Sequence, residues 1–222
     1  IFKSISAIKG RNAIILAPHP KAAKTNMFVA QKIRETLKDY GAPEDLVIPI
    51  EPEYVSIETS AELMKQVDFV LATGGTPMVR AAYSSGTPTI GVGTGNVVTI
   101  VDGTTDLDKV ADLIIASKSF DNATSCSTEN NIIVFESCYD AFVEAMAKKG
   151  GYTIKDGSEE KEKIVKTLWP NTPNDHVLNR HIVARPAVEI AKLAGIEVPE
   201  DTKIIMVEEN GGYGNEFPLT GE

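Results

Sequence analysis

Cysteine and histidine are scarce in this sequence. Two cysteines and three histidines in 222 residues are too few for a disulfide framework, and the cysteines too few for a cysteine-built zinc site. So little use of cysteine points to a reducing, cytosolic compartment. Basic residues are in deficit: 22 Lys and Arg against 31 Asp and Glu leave a formal net charge of −9. That balance argues against a nucleic-acid groove or an anionic membrane surface as partner. No apolar run approaches the roughly 18 residues of a membrane span. The opening IFKSISAIKGRN lacks a methionine and the basic-then-apolar pattern of a signal peptide. Internal repeats and low-complexity tracts are missing too.

What is present is the pattern of an α/β protein. Hydrophobic residues make up 42% and charged residues 24%, the mix of a globular chain with enough material for a core. NAIILAP (12–18), LVIPI (46–50), FVLAT (69–73) and PTIGVG (88–93) read as strands. A helix is expected over 25–41, with Thr25 as cap, Gly41 as stop and Phe28, Ile33 and Leu37 close to one face. A second starts over 60–67 with Ser60 as cap, and a third follows the Gly-Gly turn and ends at Gly86. The second half begins with the strand VVTIV, a turn at Asp102-Gly103 and a helix over about 106–119. Then come the strand NNIIVFES, the helix YDAFVEAMAKKGG, the charged helix EEKEKIVKTLW, the helix RPAVEIAKLAGIEVP and the strand KIIMVE. Strands separated by helices of this length imply parallel strands joined by right-handed crossovers. Ligands of such sheets bind beyond the carboxyl ends of the strands. The Gly-rich GVGTGN ends near residue 100, which sets expected domains at 1–100 and 101–222.

Two stretches carry candidate chemistry. In LATGGTPMVRAAYSSG the glycines stand at a strand-to-helix turn, where free N–H groups and the helix dipole favour a phosphate. The alternative is a tight turn that needs glycine's freedom at positive φ. In SFDNATSCSTENN, Cys126 lies among small polar residues, with no large apolar neighbour after Phe120. Cys138, in FESCYDAF, has the setting of a core thiol. Cys126 reads either as a nucleophile or as an inert loop cysteine. A helix N-terminus contributes about 0.3–1 kcal/mol, less than the roughly 1.36 kcal/mol of one pKa unit, so an active thiolate needs further help. The histidines do not decide it: His19 follows the first strand, and His176 and His181 flank VLNR. A cysteine–histidine hydrolase stays open at this point.

Taken together, LATGGTPMVRAAYSSGTPTIGVGTGN, KSFDNATSCSTENNIIV and RPAVEIAKLAGIEVPEDTKI resemble the CoA-acylating aldehyde dehydrogenases, including the aldehyde dehydrogenase half of bifunctional aldehyde–alcohol dehydrogenases. The resemblance implies a Rossmann-like parallel-sheet cofactor domain, over 1–100, packed on an α/β catalytic domain, over 101–222, both incomplete. It implies that Cys126 attacks the aldehyde, that NAD or NADP takes the hydride, and that coenzyme A takes the acyl group. By the same resemblance Thr73, Gly74 and Gly75 face the dinucleotide pyrophosphate. Pro18 and His19 lie near the adenosine ribose, and Glu222 contacts the nicotinamide ribose. Further sequence, with an oxyanion-stabilising asparagine ahead of Ile1 and an oligomerising tail after Glu222, is expected in a longer homo-oligomeric enzyme. Acetaldehyde, propionaldehyde, succinate semialdehyde and sulfoacetaldehyde all suit such proteins. Lys32 and Arg34 do not separate NAD from NADP, and Lys166, Arg180 and Arg185 read as solvated charges rather than contacts to an anionic aldehyde.

One departure bears on the reaction. Hydrolytic relatives carry a water-activating glutamate where Gly91 stands, so a thioester here would outlast water and await a thiol. A glutamate placed at 91 is expected to raise CoA-independent turnover, if it fits. A second reading of the chain is a nucleotide-binding module without turnover, which cofactor titration without substrate separates from NADH formation.

Overall fold

The computed structural model describes residues 1–93, 95–171, 177–211 and 219. The chain divides into two compact units, Ile1–Gly93 and Thr94–Glu222. The division falls ahead of the expected residue 100 because the strand Val97–Val101 pairs forward, with a strand of the second unit.

The first unit holds α1 (Phe2–Lys9), β1 (Ile14–Leu16), α2 (Ala23–Asp39), β2 (Val47–Pro49), α3 (Ile57–Gln66), β3 (Val70–Thr73), α4 (Thr76–Tyr83) and β4 (Thr89–Val92). β1 pairs parallel with β2, Ile14 opposite Val47, and β3 pairs parallel with β4, Val70 opposite Thr89. α2 and α4 are the crossovers. Two cap expectations are corrected. α2 begins at Ala23, after a 3₁₀ turn over Pro20–Ala22, so Thr25 lies inside the helix. α3 begins at Ile57: Ser56 accepts the Thr59 N–H at 3.0 Å, whereas Ser60 Oγ donates back to the Ser56 carbonyl. Phe28 is exposed with the Lys32 ammonium 5.9 Å from its ring, while Ala23 and Ala30 supply the buried contacts of α2. Gly41 does end that helix, at φ 72°, its N–H on the Lys38 carbonyl.

The second unit holds β5 (Val97–Val101), α5 (Leu107–Ser119), β6 (Glu129–Val134), α6 (Tyr139–Lys148), β7 (Gly151–Ile154), α7 (Glu159–Leu168), α8 (Ala187–Ala194) and β8 (Ile204–Val207). β5 pairs parallel with β6, and β7 with β8. Asp106 caps α5 by accepting from Asp108 and Lys109 N–H. One core joins Val101, Ile114, Ile115, Phe142, Met146 and Ile204. A second joins Ile154, Ile164, Ala191 and Ile196, so the charged α7 is amphipathic: Ile164 is only 2% exposed.

The strands alternate between covered and bare. In β3 and β4, Val70 and Ala72 are buried while Leu71, Ile90 and Val92 are exposed; in β5, Val101 is buried and Ile100 is 65% exposed. Parallel sheets are ordinarily covered on both faces. Here each of these pairs leaves apolar side chains bare on one.

Candidate functional site

Cys126 is exposed, on the loop between α5 and β6. Three non-glycine residues upstream, Asp121, Asn122 and Ala123, have φ of 52°, 50° and 62°. Each left-handed residue costs roughly 1–2 kcal/mol, so the surroundings must hold the loop in place. They do so with side chains. Thr124 Oγ1 donates to the Asp121 carboxylate at 2.7 Å, and Asn122 Nδ2 donates to the Ala184 carbonyl at 3.1 Å. Thr128 Oγ1 donates to the Ser125 carbonyl at 3.0 Å, and the Ser125 and Ser127 hydroxyls are 3.0 Å apart.

The segment preceding β5 closes on the same loop. A Cβ on Gly95 would stand 3.2 Å from the Cys126 carbonyl oxygen, closer than ordinary van der Waals contact. Asn130 Nδ2 donates to the Gly95 carbonyl at 3.2 Å, and Asn131 Nδ2 to Asn96 Oδ1 at 2.5 Å. The ladder is irregular at this point: Val97 pairs with Glu129 and Val98 with Asn131, so Asn130 is the extra residue of a bulge. The amino end of this sheet, where the thiol loop enters β6, is thus ordered by backbone carbonyls and carboxamides. Cys138 is the core thiol expected: it is 8% exposed, its Sγ 3.4 Å from the Phe135 carbonyl.

In the first unit, Thr73 ends β3, Gly74 N–H donates to the Val92 carbonyl at 3.1 Å, and Gly75 caps α4 at φ −65°. Neither glycine has a positive φ, so the tight-turn explanation fails. What distinguishes Gly75 is open space: a Cβ there would meet only Pro77 Cδ, at 3.8 Å. Pro18 and His19 follow the carboxyl end of β1. His19 Nδ1 accepts the Lys21 N–H at 3.1 Å and caps the 3₁₀ turn, which in the neutral ring leaves the proton on Nε2. Arg34 is committed to structure, donating to the Glu44 and Val47 carbonyls at 3.0 and 2.9 Å, and Lys32 pairs with Glu35.

Gly91 has a packing reason to be glycine. A Cβ would lie 2.7 Å from both the Tyr83 ring and Val79 Cγ1, and Tyr83 Oη accepts the Gly91 N–H at 3.1 Å. The condition attached to a glutamate at 91 is therefore demanding: the Tyr83 ring and the Val79 side chain would have to shift to admit it. Lys166, Arg180 and Arg185 are exposed, and Arg185 faces Glu189 at 3.5 Å. Glu222 and His176 lie outside the described residues. Among the described residues there is no cluster of three or more His, Cys, Asp or Glu able to hold a metal, and no helix long and apolar enough to cross a membrane. Sequence reading passed over Lys118, Asn130 and Gly95; the run of polar residues at the start of an otherwise apolar strand was the available signal.

Paired parallel strands, a glycine turn open to solvent and an exposed thiol on a hydrogen-bonded loop define an α/β protein. Residues 1–167 match the aldehyde dehydrogenase family, and the chain belongs to that family. A sulfoacetaldehyde dehydrogenase of an Acholeplasma species is 47% identical over 205 residues, covering 92% of this chain and 41% of the relative. An acetylating aldehyde dehydrogenase from Geobacillus thermoglucosidasius superposes with a TM-score of 0.87 at 39% identity, over 98% of this chain and 47% of the other. A propionaldehyde dehydrogenase from Rhodopseudomonas palustris, solved with bound CoA and an acylated cysteine, has a TM-score of 0.79 at 30% identity, over 94% of this chain and 46% of the other. The chain therefore spans less than half the length of these relatives.

Proposed function

We propose that this chain carries the dinucleotide-binding and thiol-bearing parts of an NAD(P)-dependent, CoA-acylating aldehyde dehydrogenase. The observation that carries the reading is Cys126: an exposed thiol on a loop tied down on both sides, in a chain whose relatives include one solved with an acylated cysteine.

In this reading Cys126 Sγ adds as thiolate to the aldehyde carbon, giving a thiohemiacetal. A bound dinucleotide would supply the hydride acceptor, and loss of hydride as the carbonyl re-forms would leave a thioester on Cys126. A CoA thiolate then adds to the acyl carbon and Cys126 leaves as thiolate. Thr73, Gly74 and Gly75 would hold the pyrophosphate, the open space over Gly75 letting backbone N–H groups approach it. Pro18 and His19 would border the adenosine ribose, and the resemblance assigns the nicotinamide ribose to Glu222, which lies outside the described residues. The glycine at 91 supports transfer to CoA over hydrolysis: a positioned general base is worth about 10²- to 10⁴-fold, and glycine supplies no carboxylate there. The scarcity of cysteine supports a reducing, cytoplasmic setting.

The reverse half-reaction tests this on the chain itself. With acetyl-CoA, Cys126 should take the acetyl group and release CoA, read by mass spectrometry of its peptide. Cys126→Ala should abolish the label, and Cys138→Ala should leave it. A label on Cys138, or none on a folded chain, overturns the assignment. Dinucleotide binding without acyl transfer would leave a nucleotide-binding module.

A further inference from the structure

We propose that Lys118 is a positioning residue for the Cys126 loop: its ammonium group ties the end of α5 to the start of β6 and fixes the backbone on both sides of the thiol. The proposal rests on the reading of Cys126 as nucleophile and extends it to a side chain that thiol chemistry does not itself require.

Lys118 Nζ donates to Asn130 Oδ1 at 2.8 Å and reaches Thr128 Oγ1 at 3.4 Å. Each partner passes the contact on to the loop. Thr128, 4% exposed, donates its hydroxyl proton to the Ser125 carbonyl, one residue before the thiol. Asn130 gives its amide protons to the Gly95 carbonyl, and Gly95 is the residue packed against the Cys126 carbonyl. One cation thus anchors two short paths, one reaching each side of Cys126.

Asn130 meets both ends from the position skipped in the β5–β6 register; bulges re-aim a side chain beside a site. The cluster also depends on the charge. Burial holds the Lys118 pKa down while the Glu129 carboxylate pulls it back up, and Glu129 Oε2 is buried without a hydrogen-bond partner. Removing the ammonium leaves that carboxylate, a buried hydroxyl and a carboxamide oxygen without their cation, an uncompensated arrangement. Three consecutive left-handed residues just upstream give the loop a reason to rearrange once released.

The test compares the chain with Lys118→Met, Lys118→Arg and Thr128→Val, reading amide hydrogen exchange of 120–130 and the rate of Cys126 acetylation by acetyl-CoA. Lys118→Met should speed exchange in the loop about tenfold, leave distant segments unchanged and slow acetylation by a similar factor, the effect of one charge-assisted hydrogen bond. Lys118→Arg, which keeps the charge and the donors, should restore both. A folded Lys118→Met protein with wild-type loop exchange overturns the proposal. So does equal impairment by Met and Arg, which would make packing rather than hydrogen bonding the cause. If Lys118→Met does not fold, Thr128→Val removes the loop end of the tie at nearly constant shape, and unchanged exchange there overturns it instead. A wild-type chain that is never acetylated would refute the nucleophile reading, while the exchange data would still decide Lys118.

Discussion

Glycine plays two opposite parts at Gly75 and Gly91, and sequence alone does not tell them apart. Gly75 has an ordinary φ and open space, so Gly75→Val should fold with little loss of stability. It should nevertheless weaken dinucleotide binding at least tenfold, because the methyl groups occupy the place where backbone would meet a phosphate. Titration of NADH fluorescence checks this, and unchanged affinity in a folded variant would remove the turn from the site. Gly91→Ala should do the reverse: overpacking against Tyr83 and Val79 should cost about 1–3 kcal/mol in a denaturant melt, with dinucleotide affinity retained. A variant as stable as the parent would show that α4 yields easily, and a side chain at 91 would again be possible. The exposed thiol was foreseeable from its polar neighbours. Its clamp was not, since Lys118, Gly95 and Ala184 are separated along the chain and meet only through β5–β6 pairing and side-chain reach.

At the scale of elements, periodicity located most helices and strands, while caps and short strands escaped it. Ser56 and Ser60 are both plausible caps by residue type, and only geometry assigns the role to Ser56. Ser56→Ala should therefore cost about 1 kcal/mol and Ser60→Ala markedly less; equal losses in thermal melts would contradict the assignment. β7, the stretch GYTI, was missed because four residues that open on the second of two glycines, with a tyrosine and a threonine among them, show no clear alternation. It is a strand because β8 pairs with it. Beyond both strands Glu208 accepts from Tyr139, from Lys155 Nζ at 2.5 Å and from the Asp156 N–H at 3.1 Å. Burial acts to raise its pKa, but these hydrogen bonds outweigh it and hold the carboxyl below the ordinary glutamate range. A carboxyl with a depressed folded-state pKa stabilises the fold above its unfolded pKa and loses that contribution as pH falls through the folded value. Glu208→Leu should thus destabilise the chain near neutral pH, with the gap to wild type closing in acid melts below 4.5. A gap independent of pH would mean that packing, not the ionised carboxylate, is what the residue provides.

At the scale of the whole molecule, the bare sheet faces should dominate behaviour in solution. Ile90, Val92, Ile100 and Ile133 are all exposed on strands of parallel pairs, a setting normally covered. The chain should bind a hydrophobic dye strongly and associate as concentration rises. Ile100→Lys, on an exposed position of β5, should reduce both without lowering the melting temperature. Light scattering and dye titration measure this, and a monomeric, dye-silent parent chain would refute it.

Composition, strand–helix alternation and the polar run around Cys126 were enough to determine an α/β chain with parallel pairing and an unusual thiol. Each is a local property, set by side-chain periodicity or by immediate neighbours. Tertiary structure alone decided that the chain divides between Gly93 and Thr94, because strand pairing rather than local glycine content draws a boundary. It likewise decided that Gly91 is filled by a tyrosine ring, that Asn130 is bulged out of register, and that Lys118 stands behind the thiol loop. Those relations join residues up to 35 positions apart, and contacts over such separations arise only when the crossovers pack and bring them together.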